Sequence, residues 1–353
     1  MRLTRPIFLA VALAFAVAIP AFIVSAQTAS TSGPYKVLKT AKVGAEGGYD
    51  YIFADVKARR LYIPRGGPSG LTVFNLDTLE PAGSIPDAHA GGATVDPKSH
   101  HGFSTTKPIT MWDSNTLKVI KTIDVDGRPD GILFDPFNER VWILSHQQPY
   151  ATIIDAKSGT VVKTLDLGGA PEEAVSDDKG TVYVNISDKA NIAVVDAKNL
   201  TVTAHYDCSS KGEGGSGLSL DNKNHILFAY YRRPNPVVVI VNARNGNIIT
   251  TLPTGMGVDT VAFNPETKEA ISAEYAGSMT FIKENSPTDF SIEQTLQTMV
   301  GAKTLALDTK TGHLLTMAAE FGPPPADAQP GPGGRPRRGP MVAGSFSILM
   351  VGK

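Results

Sequence analysis

One short phrase recurs seven times in this chain, and it limits the fold more than any other feature of the sequence. An apolar run ends in Asp or Asn, a turn and a second apolar run follow, and a third run again ends in Asp or Asn. In one copy, Gly127-Arg128-Pro129-Asp130-Gly131-Ile132-Leu133-Phe134-Asp135 leads to Arg140-Val141-Trp142-Ile143. Ala151-Thr152-Ile153-Ile154-Asp155 and Val161-Val162-Lys163-Thr164-Leu165 come next. The residue that closes the first run returns as Asp55, Asp96, Asp135, Asp177, Asp221, Asn264 and Asp308, at intervals of 41, 39, 42, 44, 43 and 44 residues. Four short runs in a unit of about 40–45 residues read as one propeller blade. The fold expected from the sequence is all-β: a seven-bladed β-propeller of four-stranded antiparallel blades.

The two ends of the chain complement each other. Tyr35-Lys36-Val37-Leu38-Lys39-Thr40 has the pattern of a fourth strand, with no first three before it. The last unit has runs at Leu305-Ala306-Leu307, Leu314-Leu315-Thr316-Met317 and Phe346-Ser347-Ile348-Leu349-Met350, and lacks a fourth. The N-terminal strand is therefore expected to pair into the last blade and close the ring, which removes the sheet edges of a linear array. Residues 35–351 form one domain on this reading. Blade six departs from the pattern, with Phe281-Ile282-Lys283 in place of the acceptor and Ser286-Pro287-Thr288-Asp289 lengthening its last hairpin. The rhythm breaks outright at 320–344, a Pro/Gly-rich stretch that reads as a disordered loop on one face of the ring, with a charge cluster at Arg335, Arg337 and Arg338.

The start of the chain reads as an export signal over residues 1–26. Arg2 and Arg5 precede an uncharged apolar run from Ile7 to Val24, and Val24-Ser25-Ala26 supplies small residues for cleavage. The alternative is an uncleaved anchor, since the run just reaches bilayer length. Pro20 and the small-residue exit favour cleavage, so the protein is expected to be periplasmic or secreted. Two of the 33 basic residues leave with the signal, so 31 face 34 acidic ones and the net charge is −3. That is no footprint for nucleic acid. The lone cysteine, Cys208, excludes an internal disulfide and reads as a tolerated thiol behind an outer strand.

Leu61-Tyr62-Ile63, and Val182-Tyr183-Val184-Asn185 followed by Ile192-Ala193-Val194-Val195-Asp196, resemble the YVTN repeat, with Asn185 where the name has Thr. The arrangement resembles the YncE-like, YVTN-type seven-bladed propellers of bacterial periplasm over nearly the whole chain after the signal. The resemblance implies the fold and carries little about activity. Its family label of DNA binding sits against the acidic balance of this chain.

In a propeller, matched positions of successive inner strands face one another around the channel. Five residues before each first-run marker stand Asp50, Gly91, Asp130, Glu172, Ser216, Asp259 and Lys303. Four acids and a lysine at one repeat position, with Arg128 and His89 nearby, are the candidate ligand-binding set at the channel mouth. Such a ring can hold a Ca²⁺ or Mg²⁺ ion, bind a cationic or polyhydroxylated ligand, or crowd carboxyl groups for acid–base work. Equally, Gly-x-Pro-Asp can be a turn in which the acid bonds the backbone.

His146, in the loop after the third blade's second run, is a further possible ligand with Asp130 or Asp50. His100 and His101 are expected to point apart along a strand. Tyr49, Tyr51 and the Tyr230-Tyr231-Arg232-Arg233-Pro234 run, which reads as the opening of a loop after a second strand, are secondary candidates. Aromatic and guanidinium groups together can stack on a sugar, a base or a partner's side chain, or the run is simply a solvated loop. No Cys-x-x-Cys-His, no Gly-rich phosphate loop and no Gly-x-Ser-x-Gly elbow is present. The favoured function is a monomeric binding or scaffold protein without catalysis, engaging a small molecule or protein at the mouth. The alternatives are a metal-assisted lactone hydrolase or isomerase and, from the resemblance alone, a DNA-binding protein.

Overall fold

The computed structural model describes residues 31–44, 47–65, 70–86, 88, 91–105, 107–325, 327 and 339–353. The export signal, His89, Arg335, Arg337 and Arg338 lie outside the described residues. The strands, β1 to β28 in chain order, form seven separate four-stranded antiparallel sheets. Among the described residues there is no helix long and apolar enough to cross a membrane.

Six blades are built from four consecutive strands each. The seventh joins both ends of the chain: β1 (Lys36–Lys42) pairs with β28 (Ser347–Gly352), which pairs with β27 (His313–Ala318) and then β26 (Leu305–Asp308). The ring closes as the two incomplete ends of the sequence require. Just before β1, Tyr35 is wedged against blade six, where it stacks on Phe281 with ring centroids 3.8 Å apart.

The hairpins follow from side chains that bond their own backbone. Asn75 Oδ1 accepts the N–H groups of Asp77 and Thr78, and Asp113, Asp155, Asp196 and Asn242 close their third strands in the same way. Blade six departs as its sequence indicates: Lys283 stands in the acceptor position, and β24 (Ser278–Ser286) and β25 (Asp289–Gln297) form a longer hairpin. Each first-to-second-strand turn uses a left-handed residue: Arg59, His100, Glu139, His225 and Lys268 in five blades, Gly180 and Gly312 in the others. His100 therefore belongs to a turn at φ 61°, and its expected place in a strand is corrected. His101 alone begins the strand, with Nδ1 3.0 Å from the Ala156 carbonyl.

The core lies between neighbouring blades. Trp142 and Leu144 of blade three, for example, pack against Val182, Val184 and Ile186 of blade four. Cys208 is buried behind its outer strand, and burial pushes its thiol up, away from the reactive thiolate.

Between blades five and six, buried Glu284 shares a hydrogen bond with Asp221 and accepts one from Asn224 Nδ2 at 2.6 Å. Burial, then the Asp221 carboxylate, pushes Glu284 up to about 7. The folded state thus keeps a proton that the unfolded chain, with an ordinary carboxyl, releases earlier. Stability is full below the unfolded value and falls as the pH rises toward 7. Glu284→Gln is expected to melt like the parent at pH 4 and to be more stable at pH 8 by about 1–3 kcal/mol, as read by urea denaturation at both pH values.

Candidate functional site

The inner strands carry the same irregularity in four consecutive blades. In β10 (Pro129–Asp135), β14 (Pro171–Ser176), β18 (Glu213–Asp221) and β22 (Val258–Asn264), pairing jumps over two residues where the partner strand passes one. The jumps lie between Pro129 and Ile132, Pro171 and Ala174, Gly215 and Leu218, and Val258 and Val261. These are β-bulges, which turn side chains out of the ladder and gather beside functional sites. They release Asp130, Glu172, Ser216 and Asp259. In blades one and seven, Asp50 and Lys303 sit in the approach to the first strand.

The bulges need support from their neighbours. Glu173 Oε2 accepts the N–H of Leu218 at 3.0 Å, and Thr260 Oγ1 accepts that of Leu305 at 2.7 Å, so each ties its bulge to the next blade. Asn185, the variant position of the YVTN-like repeat, is buried and donates to the Gly217 carbonyl at 3.1 Å inside the blade-five bulge. Asn185→Ala removes that donor and is expected to cost about 1–3 kcal/mol in urea denaturation.

The released side chains meet as an arc of alternating charge. Lys303 Nζ lies 3.1 Å from Asp50 Oδ1 and 2.5 Å from Asp259 Oδ2. Arg232 holds the other oxygen of Asp259 at 2.8 Å, donates to the Val258 carbonyl at 3.0 Å, and stands 3.7 Å from Glu172 Oε1. His146 Nε2 lies 3.2 Å from Asp130 Oδ2 and 3.8 Å from Glu172 Oε1. Arg128 donates to His146 Nδ1 at 2.7 Å. From within the channel, the Tyr51 hydroxyl reaches Glu172 Oε2 at 3.4 Å. Among the described residues, six blades thus contribute to one mouth.

Removal from water shapes the electrostatics. Burial raises Asp50; Lys303 opposes this, the Asp259 and Asp130 carboxylates add to it, and the carboxyl settles at about 7. Burial also raises Glu172 against the pull of Arg232 and His146. It drives Glu173 and the Tyr51 phenol well up. Lys303 runs the other way: burial works to lower it, but Asp259 and Asp50 outweigh burial and hold it above the usual lysine range.

The sequence named Asp50, Asp130, Glu172, Asp259, Lys303 and Arg128, and all six lie on this arc. It missed Arg232. Tyr230-Tyr231-Arg232-Arg233 does not open a loop: β19 (Ile226–Arg233) runs through it, and both tyrosines are buried. The strand carries Arg232 to the mouth, and the signal was the unbroken β-pattern from Ile226 onward. The 320–344 stretch also differs at its ends. Phe321 bridges Met341, Gly322 donates to the Pro340 carbonyl at 2.9 Å, and Val342 donates to that of Glu320 at 2.9 Å. Phe321 and Met341 then line a cavity beside Lys303.

Asp130, His146 and Glu172 each bring one ligand atom within 4.8 Å of the others, a set able to face a metal ion. The other two carboxylates are already engaged, Asp50 by Lys303 and Asp259 by Lys303 and Arg232. The histidine is held in the opposite sense for a metal. A guanidinium only donates, so Nδ1 must accept and the proton sits on Nε2, facing the carboxylates. Metal-bound histidines instead donate their second nitrogen to an acceptor.

Fold and site together define an all-β seven-bladed propeller with a polar, charge-alternating channel mouth. No family model matches the chain. It is 30% identical over 132 residues to the uncharacterized protein YncE of Escherichia coli O157:H7, across 34% of this chain and 37% of that protein. The matched part spans about a third of that relative. Among solved structures, the RRP9 WD40 repeats superpose with a TM-score of 0.72 at 10% identity, over 92% of this chain and 100% of theirs. The structure of U3-55K gives 0.70 at 10% identity, over 90% and 98%. A chain of the mitotic checkpoint complex gives 0.65 at 11%, over 86% and 94%. These likenesses show the propeller fold alone.

Proposed function

We propose that this chain is an exported, YncE-like binding protein that holds a polar small molecule at the channel mouth without transforming it. The observation that carries the reading is the arc itself. Repeated bulges, with matching approach segments, bring carboxylates, a lysine, an arginine and a histidine from six blades to one opening. Such a surface offers donors and acceptors at fixed spacing, which suits a ligand with several hydrogen-bonding groups. Export rests on the Arg2/Arg5 start, the apolar run and the Val24-Ser25-Ala26 exit.

The test is a thermal-shift screen of polar metabolites against the protein and an Asp130→Asn, Glu172→Gln double variant. These changes keep size and spare Asp259, whose loss strands two cations. Hits that disappear in the variant support the reading; hits that persist unchanged count against it.

A second reading, metal-assisted hydrolysis or isomerisation of a lactone, has the Asp130–His146–Glu172 set in its favour and the Arg128 contact against it. Titration calorimetry with Mn²⁺, Zn²⁺ and Ca²⁺ separates the two: binding lost in His146→Ala favours the metal, and flat titrations favour the binding protein. Nucleic acid is disfavoured by the net charge of −3 after signal removal and by the carboxylates at the mouth.

A further inference from the structure

Beside the arc lies a cavity of about 400 Å³, lined by Gly47, Gly48, Tyr49, Lys303, Phe321 and Met341. Its walls are firmly held. The Tyr49 ring packs 5.3 Å from the buried Phe346 ring, and its hydroxyl reaches the Gly301 carbonyl at 3.4 Å. Buried Arg65 donates to the Gly47 carbonyl at 3.3 Å. The Phe321–Met341 bridge forms the opposite side.

Gly47 and Gly48 bring only backbone to the lining, and Gly48 is exposed at the cavity's rim. A Cβ placed on Gly48 meets nothing within 4 Å. The volume falls in the range of small-ligand sites. The lining is two aromatic rings, a thioether and glycine backbone, with one charged group at the end that joins the mouth.

That group is Lys303. An ammonium has three N–H donors, and two are directed at Asp50 and Asp259. The third has no acceptor among the described residues, and the ammonium forms part of the cavity wall. We propose that this cavity seats the apolar body of a small organic anion whose carboxylate meets Lys303. The inference rests on the reading of the mouth as a binding site and names the ligand class for its blade-seven side.

The charge change is absorbed next door. Asp50 faces Lys303 from blade seven, Asp259 from blade six and Asp130 from blade three, with Tyr51 and Glu172 in the channel beside it. Its carboxyl stands at about 7. An anion arriving at Lys303 therefore favours proton uptake by Asp50, and affinity should rise as the pH falls from 8 to 6.

Calorimetry with phenylacetate and its neutral analogue phenylacetamide tests this. Phenylacetate should bind, and the amide about tenfold more weakly, because it cannot form the charge-assisted bond. Gly48→Leu, which adds a branched side chain at the exposed rim without touching the arc, should weaken both while the melting temperature stays unchanged. Phe321→Ala should weaken both in proportion.

Equal affinity for acid and amide, no binding of either at millimolar concentration, or full binding in Phe321→Ala would each overturn the proposal. The Asp130→Asn, Glu172→Gln variant separates this from the wider reading. If phenylacetate fails while screen hits still depend on those two acids, only the cavity assignment falls. If both fail, the mouth is not a binding site.

Discussion

Tyr35→Ala is expected to cost about 3–5 kcal/mol of stability, the largest effect of any single substitution outside the inner cores. Tyr35 is only 4% exposed and lies between blades six and seven, in one cluster with Ile271, Phe281, Leu314 and Val351. Its backbone is clamped by one side chain: Gln294 Oε1 accepts the Tyr35 N–H at 2.8 Å, and Gln294 Nε2 donates to the Tyr35 carbonyl at 2.8 Å. Its hydroxyl donates to Glu269, a fully buried carboxylate that also accepts from Lys353 Nζ at 3.1 Å. The segment before β1, Lys353 and blade six thus meet at one point. Alanine loses the ring, opens a cavity and takes a donor from a buried carboxylate. Tyr35→Phe loses only the hydroxyl and is expected to cost about 1–2 kcal/mol. Urea denaturation checks both. A Tyr35→Ala cost below about 1 kcal/mol would mean that the wedge does not hold the closure.

The second large effect falls on the arc. Asp259→Ala is expected to cost about 2–3 kcal/mol, whereas Asp130→Ala costs less than about 1 kcal/mol. Asp259 is the shared counter-ion of Lys303 and Arg232, and its side chain is 11% exposed. Removing it leaves two cations facing each other in a poorly hydrated mouth, and breaking a buried pair costs more than the pair itself contributes. The lower part of the usual range applies because the two cations keep about a quarter of their exposure. Asp130 is 24% exposed and meets only the His146 ring in this arc, so its loss strands no fixed charge. Equal losses for the two variants in denaturation would show that the arc is a set of independent surface charges.

The blades were legible because each declares itself locally. An acid or amide that bonds the next turn's N–H groups marks the end of a strand, and Asn75, Asp113 and Asp155 do so in the structure as their spacing indicates. Closure was legible from two defects that complement each other. The site was legible only in part, for a physical reason. Repeat position places Asp50, Asp130, Glu172, Asp259 and Lys303 on one circle, but their partners come from positions without a repeat. Arg232 arrives because one second strand outruns its counterparts. His146 arrives from a loop whose path no periodicity fixes. The bulges that aim the acids are invisible in composition, since they depend on cross-blade bonds such as Glu173 to Leu218 and Asn185 to Gly217. The cavity beside Lys303 escaped for the same reason: Gly48 and Phe321 are far apart in sequence and meet only once the ring is shut.

Whether those acids share one mouth is reported most directly by the titration of Asp50. In a protein with ¹³C-labelled aspartate carboxyls, one resonance should titrate with a midpoint near 7 and vanish in Asp50→Asn. That midpoint is expected because burial at the mouth and the facing charges of Asp259 and Asp130 outweigh the pull of Lys303. If Asp50 titrates instead below about 5, and Asp130→Asn and Asp259→Asn leave that midpoint unmoved, the three carboxylates do not face one another and the convergence of the blades on a common binding mouth is contradicted.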